Sequence, residues 1–190
     1  MTAHTTQPIV QVIGGDEMLT TGIPMADLPE PLWTQLIRPT PIRTDPDRWV
    51  TPQVITLQAG EVPVDFPELV GGLLVCRTEV RTLVESLDGI GGTFLPLDRL
   101  DGPDGDWWLY EPPVVADGLD LANSDVDVDD EVGIGAVRHL AFHRAAIGGL
   151  PLFAVPEMAA TVFAQVPFVE LVGAHGLTGL EFLQIEAART

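Results

Sequence analysis

Between Asp117 and Glu131 the chain places Asp117, Asp120, Asp125, Asp127, Asp129, Asp130 and Glu131 with no basic residue among them. Carboxylates at this density can cage a divalent cation, coat a solvated surface, or meet a positively charged partner. The cage most easily tested is the twelve-residue calcium loop, which needs oxygen ligands at its first, third and fifth places, glycine at the sixth and glutamate at the twelfth. Counting from Asp125 supplies Asp125, Asp127 and Asp129, but Asp130 falls sixth and Ala136 twelfth. Counting from Asp127 puts Val132 and Arg138 in those places. The sharp turn and the last ligand are both missing, so this loop type does not fit. A looser cation site joining Asp101, Asp104 and Asp106 to the later acids stays open beside the solvated and partner-facing readings.

His139 and His143 stand four residues apart around Leu140, Ala141 and Phe142, without the glutamate that a zinc-protease helix carries. On a strand both rings would face one side and reach a metal only with ligands from elsewhere. Arg138 and Arg144 beside them make an alternating polar strand face the simpler account. Other chemistry is scarce. The chain has no lysine, which removes the phosphate-cradling P-loop and Schiff-base catalysis. "VIGG", "GIGG" and "GIGAV" lack the spacing and downstream acid of a dinucleotide fingerprint. Cys76 lies in the apolar run "LLVC", a context for burial rather than reactivity, and Ser86 and Ser124 lack a nucleophile elbow. These residues predict no enzyme, no catalytic residue and no cofactor. The alternatives are a metal-binding or cryptic enzyme using the acids with His139 and His143, and a structural or regulatory binding module.

The elements that would carry these residues change texture along the chain. Prolines crowd residues 1–67, where they disfavour long helices, and that segment is predicted to pack on a core formed by residues 68–190. Within it, "IVQVI" and Val54–Leu57 read as short strands, and Trp33 and Trp49 as the side chains that pin the segment down. From Leu73, "LLVC" reads as a strand, Val80, Leu83, Val84 and Leu87 as a helical stripe, and "TFLPL" as a closing strand. Two Asp-Gly steps then feed a strand in "WWLY", and "AVRHLAFHRA" reads as another.

The stretch from Leu150 to Ile185 repeats the strand–helix–strand plan: a strand over Leu152–Val155, a helix opening at Pro156 with Met158, Val162 and Phe163 as its stripe, and a strand in "EFLQI". Glu79 and Val80 align with Glu157 and Met158, and Gly91, Phe94 and Leu95 with Gly179, Phe182 and Leu183. "PFVELVGAHG" is then an insertion in the second copy. Duplication and shared physics both account for such a match. The fold class is α+β, with a mixed, largely antiparallel sheet, two main helices, and loops that collect the negative charge.

Charge decides the choice of partner. Of 190 residues, 28 are acidic and nine basic, giving a formal net charge of −19. Such a chain repels nucleic acid and anionic lipid and draws in basic surfaces. A single cysteine, with no secretory leader pattern and no long apolar run, points to the cytoplasm. An exposed sheet edge on so apolar a chain offers a route to a homodimer.

"LLVCRTEVRTLVESLDGIGGTFLPL", "DGLDLANSD", "LAFHRAAIGGLPLFAVPEMAATVF" and "GLTGLEFLQI", in that order over Leu73–Ile185, resemble the eleventh immunity-protein family of bacterial polymorphic toxin systems. The likeness rests on an Asp-x-x-x-Ser element carried by Asp120 and Ser124, on the "LPLF" step, and on a terminal Gly-x-x-Gly-x-x-Phe. It departs at Ala154, where such proteins often carry arginine, and at Val155 and Pro156, where serine is common. The resemblance implies a non-enzymatic protector that binds and neutralises a cognate toxin domain. On that reading Asp101, Asp104, Asp106, Asp120, Asp125, Asp127, Asp129, Asp130 and Glu131 form the partner-binding surface. Trp107, Trp108 and Tyr110, where exposed, would be its anchors.

Overall fold

Continuous apolar runs in "LLVCR" and "WWLYE" build two largely buried strands that pair antiparallel through Leu74–Tyr110, Val75–Leu109, Cys76–Trp108 and Arg77–Trp107. They belong to a computed structural model that describes residues 8–14, 55–56, 65–67, 69–70, 73–97, 100–101, 106–129, 133–158 and 160–185. Among these residues the strands are β1 (Val10–Gly14), β2 (Ile55–Thr56), β3 (Leu69–Val70), β4 (Leu73–Arg77), β5 (Thr93–Leu97) and β6 (Leu100–Asp101). They continue with β7 (Trp107–Glu111), β8 (Asp125–Asp129), β9 (Gly133–His139), β10 (Leu152–Phe153), β11 (Val162–Ala164) and β12 (Leu180–Gln184). The helices are α1 (Thr78–Glu85), α2 (Arg144–Ile147) and α3 (Val166–His175). Trp33, Trp49, Asp104, Asp130 and Glu131 lie outside the described residues, as does His4.

The expected α+β class is what the structure has, with more strand than helix. One sheet runs β3-β4-β7-β5 and a second β10-β11-β1-β12, while β2 pairs with β6 in parallel and β8 with β9 as an antiparallel hairpin. In the first sheet β4 and β5 both run antiparallel to β7, which lies between them. In the second, β11 and β12 flank β1 in the same way. Each sheet therefore holds a strand–helix–strand unit whose two parallel strands are split by a third strand of opposite direction.

The internal repeat is real in the fold, but it aligns differently from the sequence match. Glu157 and Met158 sit in a short 3-10 turn, and Val162 and Phe163 are strand residues, not a helical stripe. The helix of the second unit is α3, which contains most of the segment read as an insertion. Its buried residues Phe168 and Val172 occupy the places that Val80 and Val84 hold in α1. Pro156 misled because proline suits any first helical turn; the proline that opens a helix here is Pro167. The closing strands do correspond: Phe94 pairs with Tyr110 opposite Leu74, and Phe182 pairs with Val12 opposite Val162.

Both helices and the facing sides of both sheets share one core, which includes Val12, Leu74, Val80, Val84, Tyr110, Val162, Phe168 and Val172. A second core covers the other side of β10 and β11. There Phe142, Phe153 and Phe163 pack with centroids 5.2 to 5.8 Å apart, joined by Ile9, Leu140, Ile147 and Ile185. Val126, Ile134 and Val137 of the β8–β9 hairpin rest against this cluster. The charged hairpin is thus seated on the second core through Val126, Ile134 and Val137.

Candidate partner-binding face

The "DVDVD" run is a strand, not the loop expected of it, and its alternation explains why. Val126 turns inward, while Asp125 and Asp127 point out and are exposed. Register shifts beside Val126 mark irregular pairing with β9. No basic residue neighbours these acids in sequence, yet β9 brings one across. The Arg138 guanidinium donates from Nε to Asp125 Oδ1 at 2.6 Å and from Nη2 to Asp127 Oδ1 at 2.8 Å. This clamp holds the Asp127 carboxyl below the usual aspartate range, first through the hydrogen bond and then through the charge of Arg138. The pair is exposed, so it serves to set side-chain positions more than to stabilise the fold.

Just before the hairpin, Asp120 caps a 3-10 turn over Leu121–Asn123. Its carboxylate accepts from the Asn123 backbone N–H at 3.2 Å and from the Asn123 side-chain amide at 2.7 Å. These bonds, led by the side-chain amide, pull its pKa down; His143, with Nδ1 at 3.9 Å, contributes less. Ser124 Oγ donates to the Asp120 carbonyl at 2.7 Å and accepts from the Ala141 N–H at 2.9 Å. The Asp120 N–H in turn donates to the Ala141 carbonyl. The Asp-x-x-x-Ser element is a latch fastening the turn to the segment between β9 and α2, beside the bridge between Leu119 and Phe142.

The histidines serve the same turn. His139 Nε2 lies 3.0 Å from the Asn123 carbonyl, and His143 precedes α2. The expected strand through His143 ends at His139, so the two rings belong to different elements. Among the described residues no three His, Cys, Asp or Glu side chains gather as a metal shell would need. Cys76 is buried in β4, and burial pushes its thiol up to about 12.

The remaining sequence-chosen residues lie elsewhere. Asp101 is in β6, paired with Thr56, and Asp106 is exposed before β7, its carbonyl accepting from the Thr78 N–H. Asp129 closes β8 opposite Gly133. Trp107 and Tyr110 are buried and present no anchor. Trp108 is half-buried, with Nε1–H donating to Thr78 Oγ1 at 2.9 Å and the Arg81 guanidinium 3.8 Å over its ring. Both its polar edge and one face are engaged internally, on a sheet separate from the acidic hairpin.

Acid should weaken this region. The lowered folded-state values of Asp120 and Asp127 mean that their contribution is complete above the unfolded aspartate value and is lost as pH falls through the folded one. We expect Asp120→Asn, which keeps an acceptor but cannot titrate, to differ from the unaltered protein at neutral pH. That gap should narrow on acidification, as followed by urea denaturation at stepped pH. A gap that widened in acid would contradict the sign.

No helix among the described residues is long and apolar enough to cross a membrane. No curated protein matches the chain. The model of the Imm11 immunity protein family matches residues 20–187. That span takes in the capped turn, the acidic hairpin and both split strand–helix–strand units. The chain belongs to the Imm11 immunity protein family.

Proposed function

We propose that this protein neutralises a cognate toxin domain by forming a stoichiometric complex with it in the cytoplasm, without a reaction of its own. The family match over residues 20–187 carries this reading. The net charge of −19 agrees with it, because a partner with a basic surface would be steered in from a distance. The face offered is the turn and hairpin bearing Asp120, Asp125, Asp127 and Asp129, together with Asp130 and Glu131. Asp101, Asp104 and Asp106 extend the field that attracts the partner, and Trp108 is a secondary contact.

Mixing the purified protein with an inactivated form of the toxin domain encoded beside its gene should give a complex of fixed stoichiometry by size-exclusion chromatography with light scattering. Neutralising Asp125 and Asp127 together as Asn should slow association by roughly tenfold at low salt, and much less at high salt. Association that ignores both the substitution and the salt would remove the basic-partner reading, and no association at all would remove the proposal.

A further inference from the structure

The outer strands of a sheet present N–H and C=O groups without partners, and folded proteins blunt such edges by shortness, proline, bulges or a covering segment. Among the described residues the two larger sheets end in β3, β5, β10 and β12. β3 is two residues long and β5 carries Pro96. β10 runs on into Ala154, whose N–H donates to the Pro113 carbonyl and whose carbonyl accepts from the Val115 N–H. β12 has none of these devices. It pairs with β1 along all five residues without a register shift, Glu181 and Gln184 are exposed, and Leu183 is 49 % exposed.

The bonding directions along β12 follow from the rest of its sheet. The Gln165 N–H donates to the Pro151 carbonyl, one step beyond the pairing of Leu152 with Ala164. Main-chain groups alternate sides along a strand, so Phe163 bonds towards β10, and Val162 and Ala164 bond towards β1. The same alternation across β1 turns Gln11 and Ile13 towards their partners Leu183 and Glu181. The N–H and C=O groups of Leu180, Phe182 and Gln184 then lie on the outer side of β12, where no described residue takes them.

We propose that these groups pair with their counterparts in a second copy of the chain, joining the two β12 strands antiparallel about a two-fold axis. Only one register lets every outward N–H and C=O meet its complement: Phe182 opposite the second copy's Phe182, and Leu180 opposite its Gln184. That register sets Glu181 beside the second copy's Leu183 instead of another carboxylate. It also brings two half-buried Phe182 rings together on the side of the shared core. The strand is its own complement, which selects a second copy over an unrelated strand. The ground beside it is poor in charge: Phe168 of α3 packs on Phe182 with ring centroids 6.2 Å apart, and Glu170 is the one acid of α3. The net charge of −19 on each copy opposes the contact at long range, so the dimer tightens as salt rises, the reverse of the effect expected for the toxin complex. The dimer does not depend on the neutraliser reading.

Sedimentation velocity over a concentration series of the full chain, at low and high salt, tests this with the unaltered protein, Gln184→Pro, Leu183→Glu and Leu183→Lys. The unaltered protein should dimerise, more tightly at high salt. Gln184→Pro removes an outward N–H at both ends of the pairing, keeps the bonds to β1, and should weaken the dimer roughly tenfold. Leu183→Glu places a carboxylate opposite Glu181 and should weaken it similarly, read at high salt where the long-range term is screened. Leu183→Lys places an ammonium there and should stay within about threefold of the unaltered protein. All three should melt with the unaltered protein at a dilution where each is monomeric; if Gln184→Pro melts early, the two Leu183 variants carry the test. A monomer at every concentration and salt overturns the proposal, as does a dimer that all three variants leave unchanged. Equal weakening by Leu183→Glu and Leu183→Lys overturns the register and the second-copy assignment with it. A monomer whose toxin binding falls with Leu183→Glu would give the edge to the toxin and overturn the dimer.

Discussion

Gly179→Ala is expected to cost about 3 kcal/mol of stability, enough to lower the urea midpoint sharply while leaving the exposed faces chemically unaltered. Gly179 is buried with φ +97°, and a methyl group built there would overlap the Phe66 carbonyl oxygen. Any L side chain would be strained in that conformation even in open space. The close approach has a structural purpose. Phe66 N–H donates to the Thr178 carbonyl at 3.0 Å, and the Asp65 carboxylate accepts from both the N–H and the hydroxyl of Thr178. Gly179 thus lets residues 65–67 dock on the turn that leads from α3 into β12. Gly173 supplies the contrast. It lies inside α3 with nothing within 4 Å of a built methyl group, so Gly173→Ala should raise stability by roughly 0.5–1 kcal/mol. If both substitutions move the midpoint the same way, the account of Gly179 is wrong.

Phe163→Ala should be at least as damaging, at about 3–5 kcal/mol against a total that for ordinary domains is 5–15. Phe163 is fully buried in β11, with its ring between Phe142 at 5.2 Å and Phe153 at 5.5 Å. The same cluster seats Val126, Ile134 and Val137 of the acidic hairpin. The cavity should therefore loosen a face that Phe163 never reaches. Hydrogen exchange would read this as faster exchange in β8 and β9, with little change in β4 and β7, which pack in the other core. Uniform acceleration across both sheets would mean that the hairpin has no privileged link to this cluster.

What the sequence disclosed and what it hid follow from the range of the interactions involved. The helix α1 is legible because its apolar residues repeat at the helical period, and the strands β4, β5 and β7 because each is a short apolar run bounded by turn residues or a helix start. The second helix was misplaced because a proline and a short apolar run imitate a helix start, whereas the true start at Val166 and Pro167 follows an ordinary strand. The alternation in "DVDVD" is a strand pattern, but its density of charge imitates a solvated loop. Arg138 is not recognisable in the sequence as a partner of Asp125 and Asp127, because strand pairing, not proximity along the chain, brings it there. The order of motifs from Leu73 to Ile185 sufficed for the family, since order survives where single residues vary.

The place of β1 bears on how the protein comes into being. Val10 pairs with Ala164 on one side and Gln184 on the other, so this strand leaves the ribosome long before either neighbour exists. Until translation reaches β11, its hydrogen-bonding groups have no strand to join, and distant pairings of this kind form slowly. A nascent chain stalled short of that point would carry raw strand edges, making incomplete copies ready prey for proteases and leaving only finished ones to persist.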